Sequence, residues 1–261
     1  MTSSLWVAEL LAPFRADPEG TAVLSDFDGT LAPIVADPAA ARPLPGVVDT
    51  LAALARHYGR VGVVSGRPAS FLVTHLGGRG LFLSGMYGLE MVPDGGSEVR
   101  AVAEAEPWRA VVEQAVAAGA SELPPGIDVE GKGLSLTVHY RGDPGRAPEA
   151  EAWIEAQARA TGLVVHAARM SYELRPPVER DKGTVVADLA AGRGQVCFLG
   201  DDRGDLSAFD ALDRLAATGV SAVRIGVSSE EAPAELLDRA DLVVDGPEGA
   251  LAVLRALIDD P

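Results

Sequence analysis

Short apolar runs of β type alternate with helical stretches through the first and last thirds of the chain, and this alternation constrains the fold more than any other feature. Ala22 to Ser25, Val61 to Ser65 and Leu81 to Leu83 read as strands, with a helix over Val47 to His57 between the first two. Near the other end, helical Thr184 to Ala191 precedes strand-like Gln195 to Gly200, helical Leu206 to Ala217 precedes Ala222 to Gly226, and Leu242 to Val244 leads into a closing helix. Such alternation implies parallel strands joined by crossover helices, with ligands bound beyond the carboxyl ends of the strands. The middle third has another rhythm. A helix over Trp108 to Ala118 precedes strands at Ile127 to Glu130 and Leu134 to Tyr140 around Gly131-Lys132-Gly133. A second helix over Glu149 to Ala160 precedes strands at Leu163 to Ala167 and Ser171 to Leu174, so a helix-strand-strand unit is used twice. The expected fold class is α/β: a Rossmann-like parallel-sheet core domain of residues 1–101 and 178–261, with a smaller α+β domain inserted at residues 102–177.

At 261 residues the chain is long enough for such a two-part core. Its formal charge of −16 offers neither a basic stripe for a nucleic-acid backbone nor a polybasic patch for an anionic membrane. No nucleic-acid or membrane partner is therefore expected, and any anion site has to be local. No apolar run reaches membrane-spanning length. Trp6, Leu10, Leu11 and Phe14 recur at roughly helical spacing with no basic residue ahead of them, which predicts a docking helix rather than a signal peptide and a cytoplasmic protein. Cys197, inside Val196 to Leu199, has no partner for an intrachain disulfide and reads as core packing. The oligomeric state stays open, and a monomer is compatible with the sequence.

Four short segments carry chemistry. Asp26-Phe27-Asp28-Gly29-Thr30 follows the first strand and sets two carboxylates two positions apart where a buried strand runs out into a loop. A carboxylate approaching a phosphate meets a repulsion of roughly 4 kcal/mol per charge pair at an effective dielectric near 20. A hard divalent metal such as Mg²⁺, which takes carboxylate oxygens, would offset it. Ser65-Gly66-Arg67-Pro68 follows the second strand and offers a hydroxyl and open backbone N–H groups as an anion seat. Lys182-Gly183 opens a helix, where a cation opposes the macrodipole. Gly200-Asp201-Asp202-Arg203-Gly204-Asp205 follows the strand at Gln195. Each segment alone has an ordinary structural explanation, as an Asp-Gly turn, a helix cap or a solvated lysine.

Together, and in this order, the four segments resemble the signature of the haloacid dehalogenase superfamily of phosphohydrolases. The resemblance implies Asp26 as nucleophile, forming an aspartyl-phosphate, and Asp28 as general acid and base. It further implies Mg²⁺ held by Asp26, Asp201 and the Asp28 carbonyl, with Asp202 and Asp205 as supporting partners of the metal waters or of Lys182. Ser65, Gly66 and Lys182 would hold the remaining phosphate oxygens.

Further stretches are similar to the trehalose-6-phosphate phosphatase family: Ser65-Gly66-Arg67, Gly85-Met86-Tyr87-Gly88-Leu89-Glu90, Glu130 to Leu136 running into His139-Tyr140-Arg141, and Glu173-Leu174-Arg175-Pro176 ahead of Asp181-Lys182-Gly183. That family carries an α/β cap between its second and third motifs, which agrees with the inserted domain. By matching positions, the resemblance places Lys132, Arg141 and Glu173 near a sugar, with Arg67, Tyr87 and Glu90 contributing from the core side. Tyr87 stands where the family usually has histidine, and Gly204 and Leu206 flank Asp205 where it usually has threonine and glutamate. The implied activity is Mg²⁺-dependent hydrolysis of trehalose 6-phosphate, a small-molecule sugar phosphate. The alternatives are another sugar or pseudo-disaccharide phosphate, to which Tyr87 points, and a non-catalytic phosphate-sensing module, against which the second acid Asp28 argues.

Overall fold

A computed structural model gives the fold and describes residues 4–258 other than 36, 79, 94, 95, 169 and 231. The chain divides into two compact units, Met1–Arg100 with Arg180–Pro261, and Ala101–Glu179.

The larger unit is built on strands β1 (Thr21–Ser25), β2 (Arg60–Val64), β3 (Phe82–Gly85) and β4 (Glu90–Val92) from its first segment, which ends within the two-residue β5 (Arg100–Ala101). The smaller unit then supplies β6 (Asp128–Gly131), β7 (Leu136–His139), β8 (Val164–Ala168) and β9 (Ser171–Arg175), and the last segment supplies β10 (Gln195–Gly200), β11 (Ser221–Ser228) and β12 (Leu242–Asp245). Sheet order in the larger unit is β12-β11-β10-β1-β2-β3-β4-β5. The pairs from β12 through β3 are parallel, and β4 returns antiparallel to β3. The chain moves outward from β1 in one direction through β2 and β3, and in the other through β10, β11 and β12. The strand order therefore reverses at β1 and β10, and a parallel sheet binds ligands in the crevice at such a point.

Side-chain alternation along β1 explains the layers. Val23 joins a core with Leu11 and Phe14 of helix α1 (Ser4–Ala16), Leu51 of α2 (Val47–His57), Leu72 of α3 (Ala69–Leu76) and, near the end of the chain, Leu254. Ala22 and Leu24 face the other way, onto a core with residues such as Val186, Phe209 and Leu236 from the three helices between Lys182 and Arg239. A sheet buried on both faces needs continuous apolar strands, which is how β1 and β10 read. Cys197 lies in the first of these cores, where burial pushes its thiol up to about 12. Of the expected docking residues on α1, Leu11 and Phe14 are fully buried, whereas Trp6 is exposed.

The smaller unit places α4 (Arg109–Glu122) and α5 (Ala147–Thr161) against one face of the antiparallel sheet β6-β7-β9-β8. Leu136, Val138 and Leu174 enter that core. The intervening residues follow the pleat to the opposite face, where Glu130, Thr137, Glu173 and His166 stand in one row across the four strands. The remaining helices are α6 (Lys182–Ala190), α7 (Leu206–Ala217), α8 (Ala234–Arg239) and α9 (Gly246–Ala256). Among the described residues no helix is long and apolar enough to cross a membrane.

Candidate active site

Asp26 is the first residue beyond β1, and its amide donates to Leu199 O of β10 at 2.8 Å, which pins the carboxylate between the two central strands. Phe27 turns into the core edge-on to Phe71, leaving Asp26 and Asp28 on either side of it. Asp201 follows β10 directly. Thr30 Oγ1 donates to Asp201 Oδ1 at 2.9 Å, and a Cβ on Gly29, whose φ is +77°, would stand 2.0 Å from Asp201 Oδ2. Only glycine lets that carboxylate lie against the Asp28 to Thr30 turn.

Lys182 is the first residue of α6, capped by Asp181, whose side chain accepts from Thr184 N at 2.8 Å. The lysine is buried, and its Nζ lies 2.9 Å from Asp26 Oδ1 and 2.7 Å from Asp205 Oδ1. The other Asp205 oxygen accepts the amides of Asp201 and Asp202 at 2.9 and 3.1 Å. Asp202 completes a reciprocal capping box with Asp205 and stands 3.7 Å from Lys182. Oxygens of Asp26, Asp201 and Asp205 lie within 4.8 Å of one another. One ammonium thus faces three buried carboxylates. Burial pushes Asp26 well above its ordinary range, Lys182 draws it down, and the neighbouring carboxylates add to the rise. Burial likewise raises Asp201 to about 7, with Asp205 adding and Thr30 opposing. Asp205 is raised by burial to about 6 against the pull of Lys182. Burial works against the charge on Lys182, but Asp205 and Asp26 overcome it and hold the lysine cationic. Surplus negative charge on hard oxygen donors fits a divalent cation. Asp26 and Asp201 are the side chains with oxygens to give, since Asp205 is spent on Lys182 and two amides.

Ser65 is buried beyond β2, and its Oγ accepts from Arg67 N at 3.2 Å. Arg67 reaches back to Asp28 with a two-point ion pair, both contacts at 2.7 Å, while Nη1 donates to Pro38 O and the guanidinium lies 4.6 Å from the centroid of Phe71. Tyr87 is tied to this turn. Its amide donates to Ser65 O at 3.1 Å, and a Cβ on Gly66 would come within 2.6 Å of the tyrosine hydroxyl, so the phenol lies directly on Gly66. Met86 and Tyr87 both hold left-handed backbone, at φ 51° and 56°, each costing about 1–2 kcal/mol.

Glu90, expected near a sugar, is buried, and its Oε2 accepts the Ala69 amide at 2.9 Å at the start of α3. In the smaller unit Glu173 accepts from Ser135 Oγ at 2.7 Å and from Arg175. Burial opposes its charge, but Arg175, Ser135 and Lys132 prevail and keep the carboxyl below its ordinary range. Lys132 sits in the β6–β7 turn, 3.7 Å from Glu130. Arg141 is exposed beyond the end of β7 opposite the turn that carries Lys132. Thr30, Ser135 and Arg175 were missed as partners. Arg175 was legible, because two residues along a strand from Glu173 it shares that face.

A reversal of strand order at β1, with acids beyond β1 and β10 and a lysine at the start of α6, is the arrangement of a haloacid-dehalogenase-like fold. A structure described as a haloacid dehalogenase-like hydrolase from Bacteroides thetaiotaomicron shares the fold, with a TM-score of 0.62 over 90% of this chain and 98% of that one at 18% identity. Within that class the Trehalose-phosphatase family matches residues 24–240, and the chain belongs to that family. The trehalose-phosphate phosphatase of Mycobacterium leprae (strain TN) is 35% identical over 218 residues, covering 77% of this chain and 50% of that protein. The chain thus spans about half the length of this relative. The C-terminal domain of C. albicans trehalose-6-phosphate phosphatase is 25% identical, with a TM-score of 0.71 over 96% of each chain.

The raised carboxyls give a pH test. Asp201 at about 7 and Asp205 at about 6, against an ordinary 3.8, keep protons in the folded state that the unfolded chain has already released. In chelator these groups therefore lower stability as pH rises from about 4 to about 7. A cation competes with those protons, so thermal-shift titrations should show Mg²⁺ binding that tightens from about pH 5 to about pH 8. A Mg²⁺ shift of equal size at both would detach the cluster from cation binding.

Proposed function

We propose that this chain is a Mg²⁺-dependent phosphatase that hydrolyses trehalose 6-phosphate to trehalose and phosphate through an aspartyl-phosphate on Asp26. The observation that carries the chemistry is Asp26, fixed between the central strands and paired with Lys182, with a second acid two residues on. The substrate rests on the names of the M. leprae and C. albicans relatives.

Asp26 and Asp201, with the Asp28 carbonyl, would hold Mg²⁺, which supplies charge neutralisation at the phosphate. An Asp26 oxygen forms the bond to phosphorus while the bond to the sugar oxygen breaks, and Asp28 gives that oxygen its proton. Water then forms the new bond to phosphorus, Asp28 takes its proton, and the bond to Asp26 breaks. Ser65 Oγ, the Gly66 amide and Lys182 take the phosphate oxygens, and Asp202 and Asp205 keep Lys182 in place. Arg67 orients Asp28. The smaller unit serves as a cap, residues 102–177 in the family's pattern, with Lys132 and Glu173 as its sugar-recognising side chains; in the larger unit Tyr87 lines the seat at Gly66. A different disaccharide phosphate is the second reading, because the Tyr87 phenol fixed on Gly66 lines the seat differently from histidine.

Phosphate release across a sugar-phosphate panel, with Mg²⁺ and with chelator, is the deciding measurement. Turnover in chelator, or none on any phosphate, would refute the proposal. Asp26→Asn should lower kcat by roughly a thousandfold or more in a protein that stays folded. Asp28→Asn should lower it about 10²–10⁴-fold on sugar phosphates but far less on aryl phosphates, whose leaving group needs little protonation. Equal losses on both would remove the acid role. Tyr87→Phe should narrow the preference for trehalose 6-phosphate over glucose 6-phosphate. Should wild type ignore trehalose 6-phosphate yet turn over another glycosyl phosphate, the second reading replaces the first.

A further inference from the structure

Helix α6 packs over β1 and β2, and beyond it, over β3 and β4, lies a cavity of about 230 Å³ that the proposed chemistry does not use. Phe82, Val185 and Leu189 make it largely apolar, yet two guanidinium groups, from Arg60 and Arg180, look onto it. In a chain of net charge −16, two cations on one largely apolar cavity stand out. Arg180 Nη2 donates to Asp188 Oδ2 at 2.7 Å. Arg60 lies 5.9 Å from the centroid of the Phe82 ring. The Nε atoms of both are shut off from water, and that of Arg180 meets no acceptor among the described residues. A buried donor in that state is completed by an incoming acceptor.

The cavity also touches the loop that shapes the phosphate seat. A Cβ on Gly88 would stand 2.8 Å from Val185 Cγ2 and 3.4 Å from Arg180 Nε, so the arginine lies against this residue. One residue earlier, Tyr87 rests on Gly66. We propose that this cavity is a second anion site, for a small tetrahedral oxyanion of the size of phosphate, held by the forks of Arg60 and Arg180, and that its occupancy is felt at Ser65-Gly66 through Met86-Tyr87-Gly88. Guanidinium forks suit such an anion because they offer parallel donors with fixed charge. Inorganic phosphate, the product of the proposed reaction, is one such ligand, but binding here requires no turnover.

Equilibrium dialysis of labelled inorganic phosphate against the full chain in chelator isolates the site, because the acidic cluster then has no cation with which to hold an anion. One phosphate should bind per chain, Asp26→Asn should leave it in place, and Arg180→Gln or Arg60→Gln should weaken it by about tenfold or more. No binding at millimolar phosphate, or binding that both arginine variants retain, overturns the site. If neither variant folds, a wild-type crystal grown in phosphate decides: anion density between Arg60 and Arg180 supports the proposal, and density confined elsewhere refutes it. Coupling is read separately, with Mg²⁺ present. Phosphate inhibition should be mixed in wild type and competitive in Arg180→Gln, and inhibition that is competitive in both would leave the loop without the assigned role.

Discussion

A single ammonium buried among carboxylates organises the larger unit. Taking each of these ions out of water costs several kcal/mol, and the partners that four of the six oxygens of Asp26, Asp201 and Asp205 find offset part of it. Lys182 takes one oxygen from Asp26 and one from Asp205, two amides take the other Asp205 oxygen, and Thr30 takes one from Asp201. Removing Lys182 would leave the carboxylates facing one another. The arrangement also ties distant stretches of chain: Lys182 begins α6, Asp205 immediately precedes α7, and the Gly183 amide donates to Ser207 Oγ at 3.2 Å between those helix starts.

Topology makes that convergence possible. In a parallel sheet all carboxyl ends point one way, so residues just beyond β1, β2 and β10 meet although they are far apart in sequence. A helix crossing back over the sheet begins at that same edge, which is why Lys182 at the start of α6 joins the acids beyond β1 and β10. An antiparallel sheet with the same residues would scatter them between two edges. The geometry therefore depends first on the alternation of strand and helix, and only then on the identity of the acids.

That order explains what the sequence revealed. Central strands such as Gln195 to Gly200 are buried on both faces and read as unbroken apolar runs, and the motif residues follow them directly. β4 and β5, three and two residues long, carry too little periodicity to be seen, and they are edge additions. Partnerships formed across the fold were equally hidden. Nothing local to Glu90 shows that its carboxylate will hold the start of α3, because that depends on β4 turning back beside β3. The ion pair of Arg67 with Asp28 joins two loops that only the parallel sheet brings together. Nearness in sequence to His139 likewise says which strand Arg141 follows, not at which end of the sheet it lies relative to Lys132.

The turn after β3 shows how a change of residue can alter lining without moving the chemistry. Two consecutive left-handed residues are unfavourable, and such strain survives only where the surroundings over-determine it. Here Met86 N donates to Arg67 O at 2.9 Å, Tyr87 N to Ser65 O at 3.1 Å and Leu89 N to Met86 O at 3.2 Å, while Glu90 fastens the end of the turn to α3. The backbone of the 86–90 turn and that of Ser65-Gly66-Arg67 are thus one assembly, held by groups that every residue type possesses. What remains free to vary at position 87 is the side chain alone. A phenol there fills the space that the missing Cβ of Gly66 leaves open, and a histidine on the same backbone would present a different polar edge to the same seat. The lining can change at this residue while Asp26, Lys182 and the other acids keep their places.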